Sequence, residues 1–92
     1  MAEVVRRLEI RGRVQGVTYR RSMVRQALGL GVAGWVRNRL DGSVEALVAG
    51  SDEAVRRIVE WAWQGPAGAE VTAVDVFPGD GEHRGFEQRP TA

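Results

Sequence analysis

The sequence predicts an α+β sandwich: one antiparallel sheet covered on one face by two helices, in the order βαββαβ. Three observations carry this. Apolar residues alternate at period two in the first fourteen positions. Two later stretches show the i, i+3, i+4 spacing of an amphipathic helix. Between the helical stretches lies Asp41-Gly42, a strong hairpin signal because glycine accepts the positive φ of such turns. Two helices on one face of an antiparallel sheet solve the burial problem for a single domain of 92 residues.

Residues 3–14 read as a strand. Val4, Leu8, Ile10 and Val14 alternate with Glu9, Arg11 and Arg13, giving one apolar face, and Gly12 and Gly16 bracket its end. Residues 19–30 read as a helix with an apolar stripe of Met23, Val24, Ala27, Leu28 and Leu30. Gly29 and Gly31 are suited to terminate it. Residues 32–39 and 43–49 are two strands joined by the short turn. Ser51 is a helix N-cap, and Asp52 and Glu53 suit the positive end of the helix dipole. Val55, Ile58, Val59 and Ala62 then mark the second helix. Gly65-Pro66-Ala67-Gly68 is a loop, Val71 to Phe77 a strand, Pro78 to Gly81 a turn, and the segment around Phe86 a short last strand. This order is the ferredoxin-like split βαβ pattern. Trp35 is expected in the core, and Trp61 and Trp63 as partly buried helix residues.

Composition narrows the function classes. The chain is 43% hydrophobic and 27% charged, which is a globular composition and not a disordered one. No apolar run approaches the roughly 18 residues of a membrane span. The opening MAEVVRRLEI lacks the apolar stretch of a secretory signal. Cysteine is absent, which excludes disulfides, thiolate chemistry and cysteine metal sites. His83 is the lone histidine and cannot build a two-histidine metal site or a relay. A cytoplasmic monomer with no metal and no cofactor is expected, without membrane attachment, and Arg89-Pro90-Thr91-Ala92 reads as a natural terminus. Charge is uneven. Residues 1–39 carry nine arginines against Glu3 and Glu9, whereas residues 40–92 carry four against ten acids. All thirteen basic side chains are arginine, the residue better suited to hold a phosphate or carboxylate at two points.

Two stretches carry chemistry. Gly12-Arg13-Val14-Gln15-Gly16-Val17-Thr18-Tyr19-Arg20 joins the first strand to the first helix. A glycine-containing turn there can aim successive backbone N–H groups at one point, at the positive end of a helix, where anions bind. The Arg20 guanidinium can complete a cradle around a tetrahedral phosphate. By spacing alone, the stretch also fits an ordinary strand-to-helix turn with a surface arginine. The second stretch, Gly34-Trp35-Val36-Arg37-Asn38, ends on an amide that can accept a hydrogen bond from water while donating another. That suits positioning a nucleophile but not deprotonating it. Asn before a turn is also commonplace.

Taken together, these residues resemble the acylphosphatase family. The matching pieces are Gly12-Arg13-Val14-Gln15-Gly16-Val17 with Tyr19-Arg20, then Gly34-Trp35-Val36-Arg37-Asn38, then Asp41-Gly42-Ser43-Val44-Glu45, with Gly50 and the closing Phe86-Glu87-Gln88-Arg89. The resemblance covers nearly the whole chain. It implies the same ferredoxin-like sandwich and hydrolysis of the carboxyl-phosphate bond of small acyl phosphates. It implies a phosphate-binding loop at Gln15, Gly16, Val17, Thr18, Tyr19 and Arg20, with Arg20 and Asn38 as catalytic residues. Inorganic phosphate or sulfate is an expected occupant. Tyr19 stands where phenylalanine is usual, Thr18 occupies a variable position, and Leu40 sits where proline is frequent. His83 is expected to be a bystander, the proton of the attacking water passing to a substrate oxygen. A different reading is a small nucleic-acid-binding module, since RNA-recognition domains share this element order. Those domains stack bases on aromatics of their central strands, and the first strand here has none. A third reading is the front domain of a larger carbamoyl-transferring protein.

Overall fold

A computed structural model describes residues 3–92. The elements are β1 (Val4–Arg13), α1 (Tyr19–Leu30), β2 (Ala33–Asn38), β3 (Val44–Gly50), α2 (Asp52–Gln64), β4 (Glu70–Pro78) and β5 (Phe86–Arg89). Every element expected from the sequence is present within one or two residues of its expected bounds. The strands form a single sheet of order β4-β1-β3-β2-β5. The β1–β3, β1–β4 and β2–β3 pairs are antiparallel, as expected, but β5 joins the edge parallel to β2. The sheet is therefore mixed. The loop after β4 carries the chain across to the far edge, where β5 begins at the same end of the sheet as β2. Neither helix is long and apolar enough to cross a membrane.

Strand periodicity divides the sheet into two unlike faces. Leu8, Ile10, Val36, Val44, Ala46 and Val48 are fully buried on the face that meets the helices. Met23 and Ala27 of α1 and Val55, Ile58 and Ala62 of α2 close over them. Leu28, expected in the α1 stripe, is instead 60% exposed, because Ala27 and Met23 occupy the turns that face the sheet. Trp61 is partly buried, and Trp63, one residue off that face, is half exposed.

Trp35 corrects the expectation of a core tryptophan. Gly34 and Val36 take the inward register, so Trp35 stands on the open face. There the Arg37 and Arg89 guanidiniums lie 4.9 and 5.0 Å from its ring centre. Gly34 permits this by close approach: a Cβ at its φ of 137° would fall 1.8 Å from the Leu47 carbonyl oxygen. The open face is otherwise a charge network centred on Glu45, which is almost fully buried. Its carboxylate accepts from Arg37 at 2.7 Å, Arg39 at 3.0 Å and Arg7 at 3.3 Å. Burial pushes the Glu45 carboxyl up, but the hydrogen bonds from Arg37 and Arg39 outweigh it and hold it below its ordinary range.

The two helices are tied through Tyr19, the first residue of α1. Its ring is buried 5.3 Å from that of Trp61, and its hydroxyl donates to the Ala62 carbonyl at 2.7 Å. That carbonyl is in the last turn of α2, and the residue four positions on is Pro66, which has no N–H to offer. The hydroxyl thus supplies a donor the helix lacks, which is the physical content of tyrosine in place of phenylalanine here. Burial raises the phenol pKa well above its ordinary value, so the donor stays protonated at any physiological pH.

Tyr19→Phe leaves that buried carbonyl unpaired and should lower stability by about 1–3 kcal/mol, read as a shift in the urea midpoint at constant m-value. Glu45 has a depressed folded-state pKa, so its contribution is present above its unfolded pKa and is lost as pH falls through the folded one. Stability should therefore drop on acidification below about pH 4.5, and Glu45→Gln should flatten that acid limb while lowering stability at neutral pH.

Candidate active site

Because β3 runs antiparallel to both β1 and β2, those two strands point the same way, and β5 points with them. The C-terminal ends of all three strands meet at one edge of the sheet. The loop leaving β1, the last residue of β2 and the end of β5 are thereby brought together although they are far apart in sequence. They enclose an open cleft of about 280 Å³, lined by Val14, Gly16, Thr18, Tyr19, Arg20, Arg21, Asn38 and Gln88. That volume lies at the small end of ligand pockets. Its charged lining is two arginines, with no carboxylate.

The loop from β1 to α1 turns on Gly16, at φ 75°, and on Thr18, at φ 60°. Thr18 is the one non-glycine residue with positive φ among the described residues. A β-branched residue in this left-handed region is strained, commonly by about 1–3 kcal/mol. Thr18 is also the N-cap of α1, but its hydroxyl donates to the Val17 carbonyl at 2.6 Å and makes no bond to the helix amides. No acidic residue occupies the first turn. Among the described residues, no carbonyl or side chain accepts from the amides of residues 16–21, the first helical bond being Ser22 N–H to the Thr18 carbonyl. The contrast with α2 is direct: there Ser51 accepts from the Ala54 amide, and Asp52 and Glu53 stand in the first turn. The start of α1 thus presents unpaired donors and the positive end of a helix dipole to the cleft.

Two side chains complete the wall. Arg20, in the first turn of α1, donates from Nη1 to the Arg89 carbonyl of β5 at 3.2 Å, which directs the guanidinium across the cleft mouth. Asn38 shares the inward register of Val36, but at the strand end where the core gives way to the cleft. Its carbonyl accepts from the Ala92 amide at 3.0 Å. Its side-chain Oδ1 is buried and has no hydrogen-bond partner in the chain. An unpaired buried acceptor costs about 1–3 kcal/mol, so it demands an explanation.

Of the residues expected at the site, the structure brings Gly16, Thr18, Tyr19, Arg20 and Asn38 together on the cleft wall. Tyr19 borders it but sends its hydroxyl to α2. Val17 packs against the core. Gln15 turns its carboxamide away, donating to the Arg39 and Ser43 carbonyls, both at 2.8 Å. Any contact of Gln15 and Val17 with an anion is therefore left to their main chain. His83 does not line the cleft; its Nε2 lies 3.1 Å from the Asp80 carbonyl in the loop before β5. Sequence reasoning missed Arg21 and Gln88. Arg21 could have been found from its place beside Arg20 in the same helical turn. Gln88 could not, since nothing in the residues signals that β5 docks parallel to β2.

The family model for acylphosphatase matches residues 6–88. An acylphosphatase from Albidiferax ferrireducens is 58% identical over 89 residues, spanning 97% of this chain and 97% of its own. An acylphosphatase from Thiobacillus denitrificans is 60% identical over 82 residues, 89% of this chain and 92% of that one. The solved structure of an acylphosphatase from Coxiella burnetii superposes with a TM-score of 0.91 at 32% identity, covering 95% of this chain and 93% of that one.

Proposed function

The chain belongs to the acylphosphatase family and is an acylphosphatase, and we propose that the main-chain amides of loop 15–20 and the Arg20 guanidinium grip the phosphoryl group while Asn38 positions the attacking water. The observation that carries this reading is Asn38 on the wall of a cleft whose other wall is a run of free amides and an arginine, with its Oδ1 unpartnered in the chain. A water held by that carboxamide would turn a lone pair toward phosphorus.

The substrate class makes modest demands. An acyl phosphate is already activated, since its leaving group is a carboxylate. Phosphoryl transfer is catalysed mainly by positioning and by stabilising charge on the equatorial oxygens. Loop amides and Arg20 supply that stabilisation from the start, because their geometry is set by the fold and needs no reorganisation. The water oxygen bonds to phosphorus as the phosphorus–oxygen bond to the acyl group breaks. The carboxylate departs with the bonding pair, and the proton of the water passes to a phosphoryl oxygen. No carboxylate or imidazole lines the cleft to serve as general base, which supports that proton route. The reading extends to a cytoplasmic monomer.

Phosphate release from an aryl acyl phosphate should fall by about 10²–10³ in Arg20→Ala, by analogy with removal of one oriented donor elsewhere. Arg20→Lys should not restore it, because lysine lacks the two-pronged geometry. Asn38→Ala should lower kcat by a comparable factor while leaving inhibition by inorganic phosphate intact, whereas Arg20→Ala should weaken that inhibition. Equal turnover of an ordinary phosphate monoester by the wild type would contradict the reading. His83→Ala should keep most activity across the pH range; a large loss would place a proton transfer on the imidazole.

A further inference from the structure

Asn38 carries no side-chain hydrogen bond that fixes it, so its place depends on where the β2–β3 hairpin sits relative to the anion loop. The hairpin sets its own internal shape. Asp41 Oδ1 accepts from the Ser43 amide at 2.9 Å and from its hydroxyl at 2.6 Å, and the Arg39 amide donates to the Ser43 carbonyl at 2.8 Å. None of those bonds reaches the loop. β1 and β3 part company at Ile10 and Val44, before the loop begins. Among the described residues, the hydrogen-bonded link between loop 14–18 and hairpin 38–43 is the Gln15 carboxamide alone, donating from Nε2 to both the Arg39 and the Ser43 carbonyls. Arg39 directly follows Asn38, and Ser43 directly precedes Val44, the residue paired with Asn38 in the sheet.

We propose that the Gln15 side chain is a positioning residue for the hydrolysis. It clasps both strands of the hairpin beside Asn38 and so sets the separation between the amide that orients water and the loop that holds phosphate. This rests on the roles given above to Arg20 and Asn38. The carboxamide suits the task chemically. One NH₂ group offers two hydrogens, and two carbonyls on opposite strands accept one each, so the bond fixes both sides of the hairpin with a single group. The clasp does not touch substrate. Its loss lets the hairpin shift while the loop amides and Arg20 keep their places. A misplacement on the order of 1 Å suffices to cost up to about 10²-fold in rate.

The test is steady-state kinetics on an aryl acyl phosphate with competitive inhibition by inorganic phosphate, for Gln15→Ala, Gln15→Met, Asn38→Ala and the Gln15→Met/Asn38→Ala double variant. Gln15→Met keeps volume without a donor and guards against a variant that fails to fold; circular dichroism checks folding in each. The expected result is a fall in kcat of about 10-fold or more for either Gln15 variant, with the phosphate inhibition constant unchanged. In the Asn38→Ala background, Gln15→Met should cost almost nothing further, because there is no amide left to misplace. A phosphate inhibition constant that rises along with the loss of kcat would overturn the inference and make Gln15 a phosphate ligand. Losses that multiply in full in the double variant would reduce the clasp to general structure. An impaired Asn38→Ala beside a fully active Gln15→Met sinks the inference alone. A fully active Asn38→Ala sinks the parent reading and the inference with it.

Discussion

The site depends on a helix that starts without a cap. At the N-terminus of α1 the chain enters through Thr18 in the left-handed region, and the hydroxyl that might have capped the helix faces backward to Val17. The amides that follow are left without a partner among the described residues. Such an opening is costly, because free donors and a strained β-branched residue both work against the folded state. It is held open by the residue next to it. Tyr19 is buried to within 1% of full exclusion, packs on Trp61 and bonds the end of α2. The helix therefore cannot rotate or unwind to find partners for its first turn without withdrawing a large aromatic side chain from the core. Stability gained at Tyr19 offsets the strain stored at Thr18, one residue apart.

The same sheet separates the cleft from the charge network. Its helix-covered face holds an apolar core that ends at Asn38, and its open face holds the arginines and carboxylates that a small core cannot accommodate. This division bears on the nucleic-acid reading. The open face does carry two aromatic residues, Trp35 and Phe77, where an RNA-recognition domain would stack bases. Yet Arg37 and Arg89 lie over Trp35, and Arg7 lies 4.5 Å from the centre of Phe77. Those arginines are themselves engaged by Glu45, Glu9 and Glu87. A base would have to displace guanidiniums already bonded to carboxylates. The basic N-terminal half thus divides into Arg7, Arg11, Arg37 and Arg39, paired with carboxylates, Arg20 and Arg21 at the cleft, and Arg6, Arg13 and Arg25 outside both groups.

Much of this was legible in the residues. Period-two alternation, the Asp41-Gly42 turn and the Ser51 cap are local signals, and each produced its element. The loop that borders the cleft was legible because its glycines and an arginine at a helix start belong to one contiguous segment. The parts that escaped are those set by partners distant in sequence. Trp35 was assigned to the core because a tryptophan is apolar; its true side follows from the inward register of Gly34, which only the close approach to Leu47 explains. Gln88 entered the cleft through a parallel pairing with no sequence mark. The family resemblance puts Gln15 in the phosphate loop, but its side chain bonds carbonyls 24 and 28 positions away, which no local pattern signals.

These distant contacts also bear on Asn38 Oδ1, the one buried side-chain atom without a hydrogen-bond partner among the described residues. A small domain has a stability of only about 5–15 kcal/mol, so an orphaned acceptor at Asn38 consumes a real share of it. Burial of Oδ1 could have been avoided by a shift of the strand end toward solvent. Three attachments prevent that shift: the pairing of Asn38 with Val44, the bonds exchanged between Ala92 and residues 38 and 40, and the Gln15 clasp on either side of the hairpin. Each of them fixes main chain and none satisfies Oδ1. Together they hold the Asn38 carboxamide where the apolar core ends and the cleft begins.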